Sequence, residues 1–127
     1  MNAPRQTLEQ QRARNAWEVC EHYTQDHVNA AKGLPALIMN SGLMQVLAFC
    51  HEKGKTQADV ASHLRKWLAS RFPAQFKGGS EFSAFMEVLM KAAPADYQAI
   101  NAEAFSWLKW LRQMAAARIK TKTQGGK

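Results

Sequence analysis

Apolar residues along this chain recur at helical spacing. From Thr7 onward they fall at Ala13, Ala16, Trp17, Cys20, Tyr23, Val28 and Ala31. That 3.6-residue stripe predicts one long amphipathic helix. Thr7-Leu8-Glu9-Gln10 has the Thr-x-x-Gln form of a capping box, in which hydroxyl and side-chain amide each satisfy an orphan backbone amide. Gly33 is expected to end the helix in the left-handed conformation. Pro35 suits the first turn of a second, short helix, where its missing donor costs nothing. Asn40-Ser41-Gly42 interrupts that helix as a break or a kink. Leu43, Val46, Leu47 and Cys50 then resume a buried stripe as far as Gly54.

Thr56 is expected to open the next helix, with Asp59 favourable to its exposed amides, and Val60, Leu64, Trp67 and Leu68 facing inward. Phe72-Pro73 stops it, because a residue before proline is pushed out of the α region. Residues 73–79 read as a loop, and Ser80 as the cap of a segment with Phe82, Phe85, Met86, Leu89 and Met90 inward. Pro94 divides this from a last helix carrying Tyr97, Ile100, Ala104, Trp107, Leu108 and Leu111. Beyond Ile119 nothing remains to bury, so the tail from Lys120 is expected to be disordered. No stretch alternates apolar and polar residues over strand length, and no repeat is evident. The expectation is all-α: a compact bundle of five or six helices of unequal length, one domain over residues 1–119, then a disordered basic tail over 120–127.

With 127 residues, 46% of them apolar, the chain can bury one core. No apolar run is long enough to span a membrane, and the first residues lack the apolar stretch of a signal peptide. Cys20 and Cys50 have no Cys-x-x-Cys spacing and read as two buried thiols. A cytoplasmic protein is expected. Charge sharpens the picture. The net charge is +7, and it is unevenly placed. Acids slightly outnumber bases through Ala31, whereas Lys53 to Lys77 holds six bases against Asp59 alone, and Ala104 to the end holds six bases and no acid. Such asymmetry points to a polyanionic partner.

Candidate chemistry is sparse. His22 and His27 are five apart, His51 follows Cys50 directly, and His63 is alone, none of which is a two-ligand helical spacing. Gly78-Gly79-Ser80 lacks the Gly-Lys-Ser/Thr ending of a phosphate loop and reads as a flexible loop. Neither a catalytic constellation, a metal site nor a cofactor is expected. Trp107 and Trp110 stand beside Lys109 and Arg112, and aromatics interleaved with bases can stack nucleobases. Trp107 belongs with the core, and Trp110 is a rim or contact residue.

Two segments say more than periodicity does. Lys32-Gly33-Leu34-Pro35-Ala36-Leu37-Ile38-Met39-Asn40-Ser41-Gly42-Leu43-Met44-Gln45-Val46-Leu47-Ala48-Phe49 is one. Tyr97 followed by Glu103-Ala104-Phe105-Ser106-Trp107-Leu108-Lys109-Trp110-Leu111-Arg112 is the other. Together they resemble the small α-helical subunit of the Cmr complex, the type III-B CRISPR RNA-guided effector. The likeness runs from Arg12 to Ala117 and is weaker between Thr56 and Asp96. It implies a non-catalytic subunit of antiviral defence whose copies stack in the inner filament. Its implied partners are the backbone and large Cmr subunits, further copies of itself, crRNA and target RNA. Asn40, Gly42 and Leu43 match positions that fix the turn between two helices. Candidate RNA-backbone contacts are Lys32, Lys53, Lys55, Arg65, Lys66, Arg71, Lys109, Arg112 and Arg118. An alternative of another class is a helix-turn-helix DNA-binding regulator, with Met44 to Lys53 and Gln57 to Ser70 as the helix pair.

Overall fold

The structure, a computed structural model, describes residues 5–125, with side chains as far as residue 123. Six helices follow one another: α1 Leu8–Val19, α2 Gln25–Lys32, α3 Leu34–Lys53, α4 Lys55–Arg71, α5 Phe82–Lys91 and α6 Pro94–Gly125. Among the described residues there is no strand. α6 is the axis of the bundle. It packs against α1, α2, α3 and α4, while α5 lies against α3 and α4. One continuous core forms, its largest fully buried side chains including Trp107, Phe85, Ile38, Leu43 and Leu64.

The stripe expected to make one long first helix makes two. α1 starts as expected on the Thr7–Gln10 capping box, but the chain turns from Cys20 to Thr24. The turn carries Tyr23 into the core, and a second capping box opens α2. Thr24 accepts from the His27 amide, and the His27 ring accepts from the Thr24 amide at 3.0 Å. Histidine here takes the place of the usual Glu or Gln. Gly33 also departs from expectation. Its φ is −88°, so it joins α2 to α3 without entering the left-handed region.

Within α3 the interruption is a kink at Gly42, at φ +83° and ψ +166°. The amides released there are taken up from α6. Asn101 Oδ1 accepts from the Leu43 amide at 2.8 Å, and Tyr97 Oη from the Met44 amide at 3.2 Å. α4 begins one residue earlier than expected, after Gly54, with no side-chain cap. Thr56 bonds instead to Gln57, and Asp59 reaches across to His27. Glu81 rather than Ser80 caps α5, accepting from the Ala84 amide at 3.2 Å.

α6 continues as helix past Ile119 to Gly125, where a disordered tail is expected from sequence. Thr121 and Thr123 return their hydroxyls to the Ala117 and Ile119 carbonyls at 3.0 and 2.9 Å, and Lys122 donates to the Glu21 carbonyl. Gly126 and Lys127 lie outside the described residues.

Among the described residues Glu103 is the one buried charged side chain, 7% exposed. Arg12 of α1 grips it with two nitrogens, each at 2.7 Å, and Trp67 of α4 donates its indole N–H at 3.0 Å. Three helices meet on this carboxylate. The periodicity of α6 gives no sign of it, because a glutamate inside an apolar stripe reads as solvated until its partners arrive from elsewhere.

Candidate nucleic-acid interface

The nine cations anticipated from sequence divide by what they do. Arg65 and Arg118 are already engaged. Arg65 Nε donates to the Ser80 carbonyl at 2.8 Å, and its guanidinium stands 5.7 Å from the Phe82 ring, tying α4 to the start of α5. Burial lowers its pKa from the usual guanidinium value, and Glu81 pulls the other way. Arg118 Nη1 donates to the Trp17 carbonyl at 2.6 Å and covers the Trp17 ring at 4.4 Å, pinning α6 to α1. Both act as internal ties.

Seven are exposed: Lys32, Lys53, Lys55, Lys66, Arg71, Lys109 and Arg112. Among the described residues none of them has a carboxylate within 4.0 Å; the carboxylates meet Arg12 at Glu103, Lys91 at Glu87 and the His27 ring at Asp59. Lys53 and Lys55 flank the α3–α4 corner, where Gly54 and Lys55 both take positive φ, +70° and +52°. Lys53 leans over Phe49 at 5.6 Å. Lys66 and Arg71 stand on α4.

Lys32 and Arg112 come together although they are far apart in sequence. The last turn of α2 approaches α6, and the two cations line a surface hollow of about 440 Å³ with Gly33, Gln113 and Ala116. A second hollow, of about 260 Å³, is lined by Glu9, Lys109, Trp110 and Gln113. Gln113 belongs to both, so the two adjoin along the outer face of α6. Lys109 is held 4.7 Å from the Phe105 ring one turn away. A concave surface bearing three cations with no ion-pair partner among the described residues suits a chain of phosphates.

The histidines make a cluster that spacing arithmetic misses, because the turn at residues 20–24 brings three elements together. Tyr23 Oη meets His63 Nδ1 at 2.7 Å and its ring stacks on His27 at 4.7 Å. His27 Nδ1 accepts from the Thr24 amide, which leaves Nε2–H to donate to Asp59 at 2.9 Å. Burial pushes the Tyr23 phenol well above its usual pKa. His63 is shifted down, first by burial, then by Lys66, against the opposing pull of Asp59. The unfolded chain therefore takes up the His63 proton more readily than the folded one. Its contribution to stability is whole above about pH 6.5 and is lost as pH falls from there toward the lower folded value. Thermal melts between pH 7.5 and 5.5 should show Tm falling in wild type and falling less in His63→Gln. Parallel curves would remove His63 as the cause.

The two cysteines are free and buried, and burial raises the thiol pKa of both, that of Cys50 to about 11. They are inert as nucleophiles in the folded state. Among the described residues no group of three His, Cys, Asp or Glu is placed to hold a metal, and no helix is long and apolar enough to cross a membrane. The helix-turn-helix alternative finds no support. α5 lies against both helices of the pair, and Arg65, which would have to reach base edges, is half-buried beneath Ser80 and Phe82.

Comparison with known proteins agrees with this architecture. No curated protein matches the chain. Among solved structures, the crystal structure of a CRISPR-associated Cmr5 family protein from Thermus thermophilus has the same fold. It superposes with a TM-score of 0.70 at 22% identity, covering 88% of this chain and 97% of the other. The family model described as CRISPR-associated protein (Cas_Cmr5) matches residues 8–118, from the first residue of α1 to within seven residues of the end of α6. The chain therefore belongs to the CRISPR-associated Cas_Cmr5 family, the small-subunit family of the Cmr complex.

Proposed function

We propose that this protein is a non-catalytic segment of a type III-B RNA-guided effector, repeated along the inner filament and holding RNA by its phosphates. The observation that carries the reading is the grouping of Lys32, Lys109 and Arg112 on adjoining hollows, with no carboxylate within ion-pair distance among the described residues. Phosphate contacts position a strand without reading it, and pairing between guide and target supplies the sequence. Two or three such contacts bind weakly. Copies in series on one strand, held by the backbone and large subunits, raise the effective concentration of each next contact. The crRNA and its target would share this surface, in antiviral defence within the cytoplasm. Lys53, Lys55, Lys66 and Arg71 extend the basic surface over α3 and α4, whereas Arg65 and Arg118 support it from inside.

The salt dependence of RNA capture by the assembled complex tests this. Each phosphate neutralised on a single strand contributes about 0.7 to the slope of log affinity against log salt. Lys32→Ala/Arg112→Ala should reduce the slope by about 0.7 per copy, for the phosphate the two cations share. Arg65→Ala should leave the slope alone and lower the melting temperature of the isolated chain. An unchanged slope in the Lys32/Arg112 variant would remove this surface from the RNA path.

A further inference from the structure

The four tryptophans are not equivalent. Trp67 and Trp107 are buried and give their indole N–H groups to Glu103 and Asn15, at 3.0 and 2.9 Å. Trp17 has its ring covered by Arg118. Trp110 is half-buried, packs on the core with part of its surface and turns the rest to the hollow it shares with Glu9, Lys109 and Gln113. Buried indoles find acceptors. The N–H groups of Trp17 and Trp110 have no protein acceptor among the described residues and are not buried, so the Trp110 N–H is open to solvent or a ligand.

The lining of this hollow has the parts of a nucleotide site in the right order. An indole face stacks on any base. Gln113 offers both a donor and an acceptor, and the Glu9 carboxylate accepts from an exocyclic amino group such as those of adenine and cytosine. The next hollow holds Lys32 and Arg112, suited to a phosphate. Glu9 is the single acid against three cations, so the surface as a whole favours an anion. An amphipathic helix from a protein partner wants a broad apolar groove. Here one aromatic ring is set among charged and amide side chains.

We infer that Trp110 is a stacking platform for one unpaired nucleobase of an RNA strand whose neighbouring phosphate lies between Lys32 and Arg112. The inference rests on the reading that this surface contacts RNA, and it adds a restriction. A base inside a helix has both faces stacked, so the strand held here must be single at this nucleotide, or have the base turned out. Glu9 further favours a base that carries an amino group.

The test uses the full chain at low salt and an oligouridylate with one central 2-aminopurine, whose fluorescence is quenched by stacking on indole. Wild type should quench it. Trp110→Leu should abolish the quenching and weaken binding on the order of tenfold, while Trp110→Phe keeps most of both. A fully paired RNA duplex in the same assay should bind equally to wild type and Trp110→Leu, and a cooperative thermal melt shows that the variant is folded. Single-strand affinity and quenching unchanged in Trp110→Leu would overturn the stacking. Were Trp110→Leu to keep RNA affinity but lose co-assembly with other subunits, the hollow would be a protein contact and the inference wrong. If Lys32→Ala/Arg112→Ala weakens capture and Trp110→Leu does not, only the base site fails. If neither variant weakens it, the RNA reading of this surface fails with it.

Discussion

Glu103→Ala should cost the folded chain about 3 kcal/mol, seen as a fall in melting temperature of roughly 10 °C. The substitution leaves the Arg12 guanidinium with its acceptor gone and the Trp67 indole N–H buried without a partner. Breaking one side of a buried pair is costly because the other charge stays behind. Arg12 is 20% exposed and can recover some hydration, which puts the loss at the low end of that range. The hydrogen bond to Glu103 is the first cause of its raised pKa, with burial opposing it; once Glu103 is gone the guanidinium, which is not deprotonated in proteins, remains charged without its acceptor. Glu103→Gln should lose less, since an amide oxygen can still accept from Trp67. Removing both charges, as in Arg12→Met/Glu103→Met, should recover part of the Glu103→Ala loss while Trp67 still lacks its acceptor. A Glu103→Ala protein melting within a degree or two of wild type would show that the bidentate pair ties nothing together.

Gly42→Ala should cost about 2 kcal/mol, measured as a shift in urea midpoint with an unchanged slope. At φ +83° and ψ +166° Gly42 occupies backbone space that residues with a Cβ rarely enter. An added methyl would also stand 3.4 Å from Tyr97 Oη and 4.0 Å from Asn101 Oδ1, the two atoms that receive the freed amides of Leu43 and Met44. Those are ordinary contact distances, so the strain of the positive φ carries the loss. Gly33→Ala is the matching control. Gly33 has negative φ and no atom within 4 Å of a built Cβ, so this change should be neutral or slightly stabilising. Equal losses at the two glycines would mean that the kink is not the cause.

The contrast between these glycines shows how far the sequence could be read. Helix content, the Thr7 capping box, the stop at Phe72-Pro73 and the start at Pro94 depend on neighbours within a few residues, and all appear in the fold. Gly33 and Gly42 look alike in sequence, since each interrupts an apolar run, yet only Gly42 takes a positive φ. The difference comes from α6, which supplies Tyr97 and Asn101 more than fifty residues downstream. The same holds for the turn at residues 20–24. An unbroken stripe conceals it, and the signal available was Thr24-x-x-His27, a capping box with an unfamiliar residue in its third position.

The basic surface was legible as a charge excess and as a family resemblance, but not as geometry. Lys32 and Arg112 meet because α2 packs on α6. Arg65 and Arg118 resemble them in sequence and differ only in having a carbonyl and an aromatic ring within reach. Glu9, inconspicuous in α1, enters the Trp110 hollow for a similar reason. Charge can be counted along a chain, whereas the availability of a charge depends on what the fold places against it.

α6 has a mechanical consequence. Its 32 residues make a rod about 48 Å long. A compact body of this chain length has a radius of gyration near 14 Å and so a diameter of roughly 36 Å. The axis therefore reaches across the whole body it organises, and its final turns are tied back by Arg118 to the Trp17 carbonyl and by Lys122 to the Glu21 carbonyl. Load applied at that end is carried down one unbroken rod to the buried carboxylate of Glu103, where α1 and α4 are fastened. Whatever the protein grips along α6, it grips with a lever anchored in its own core.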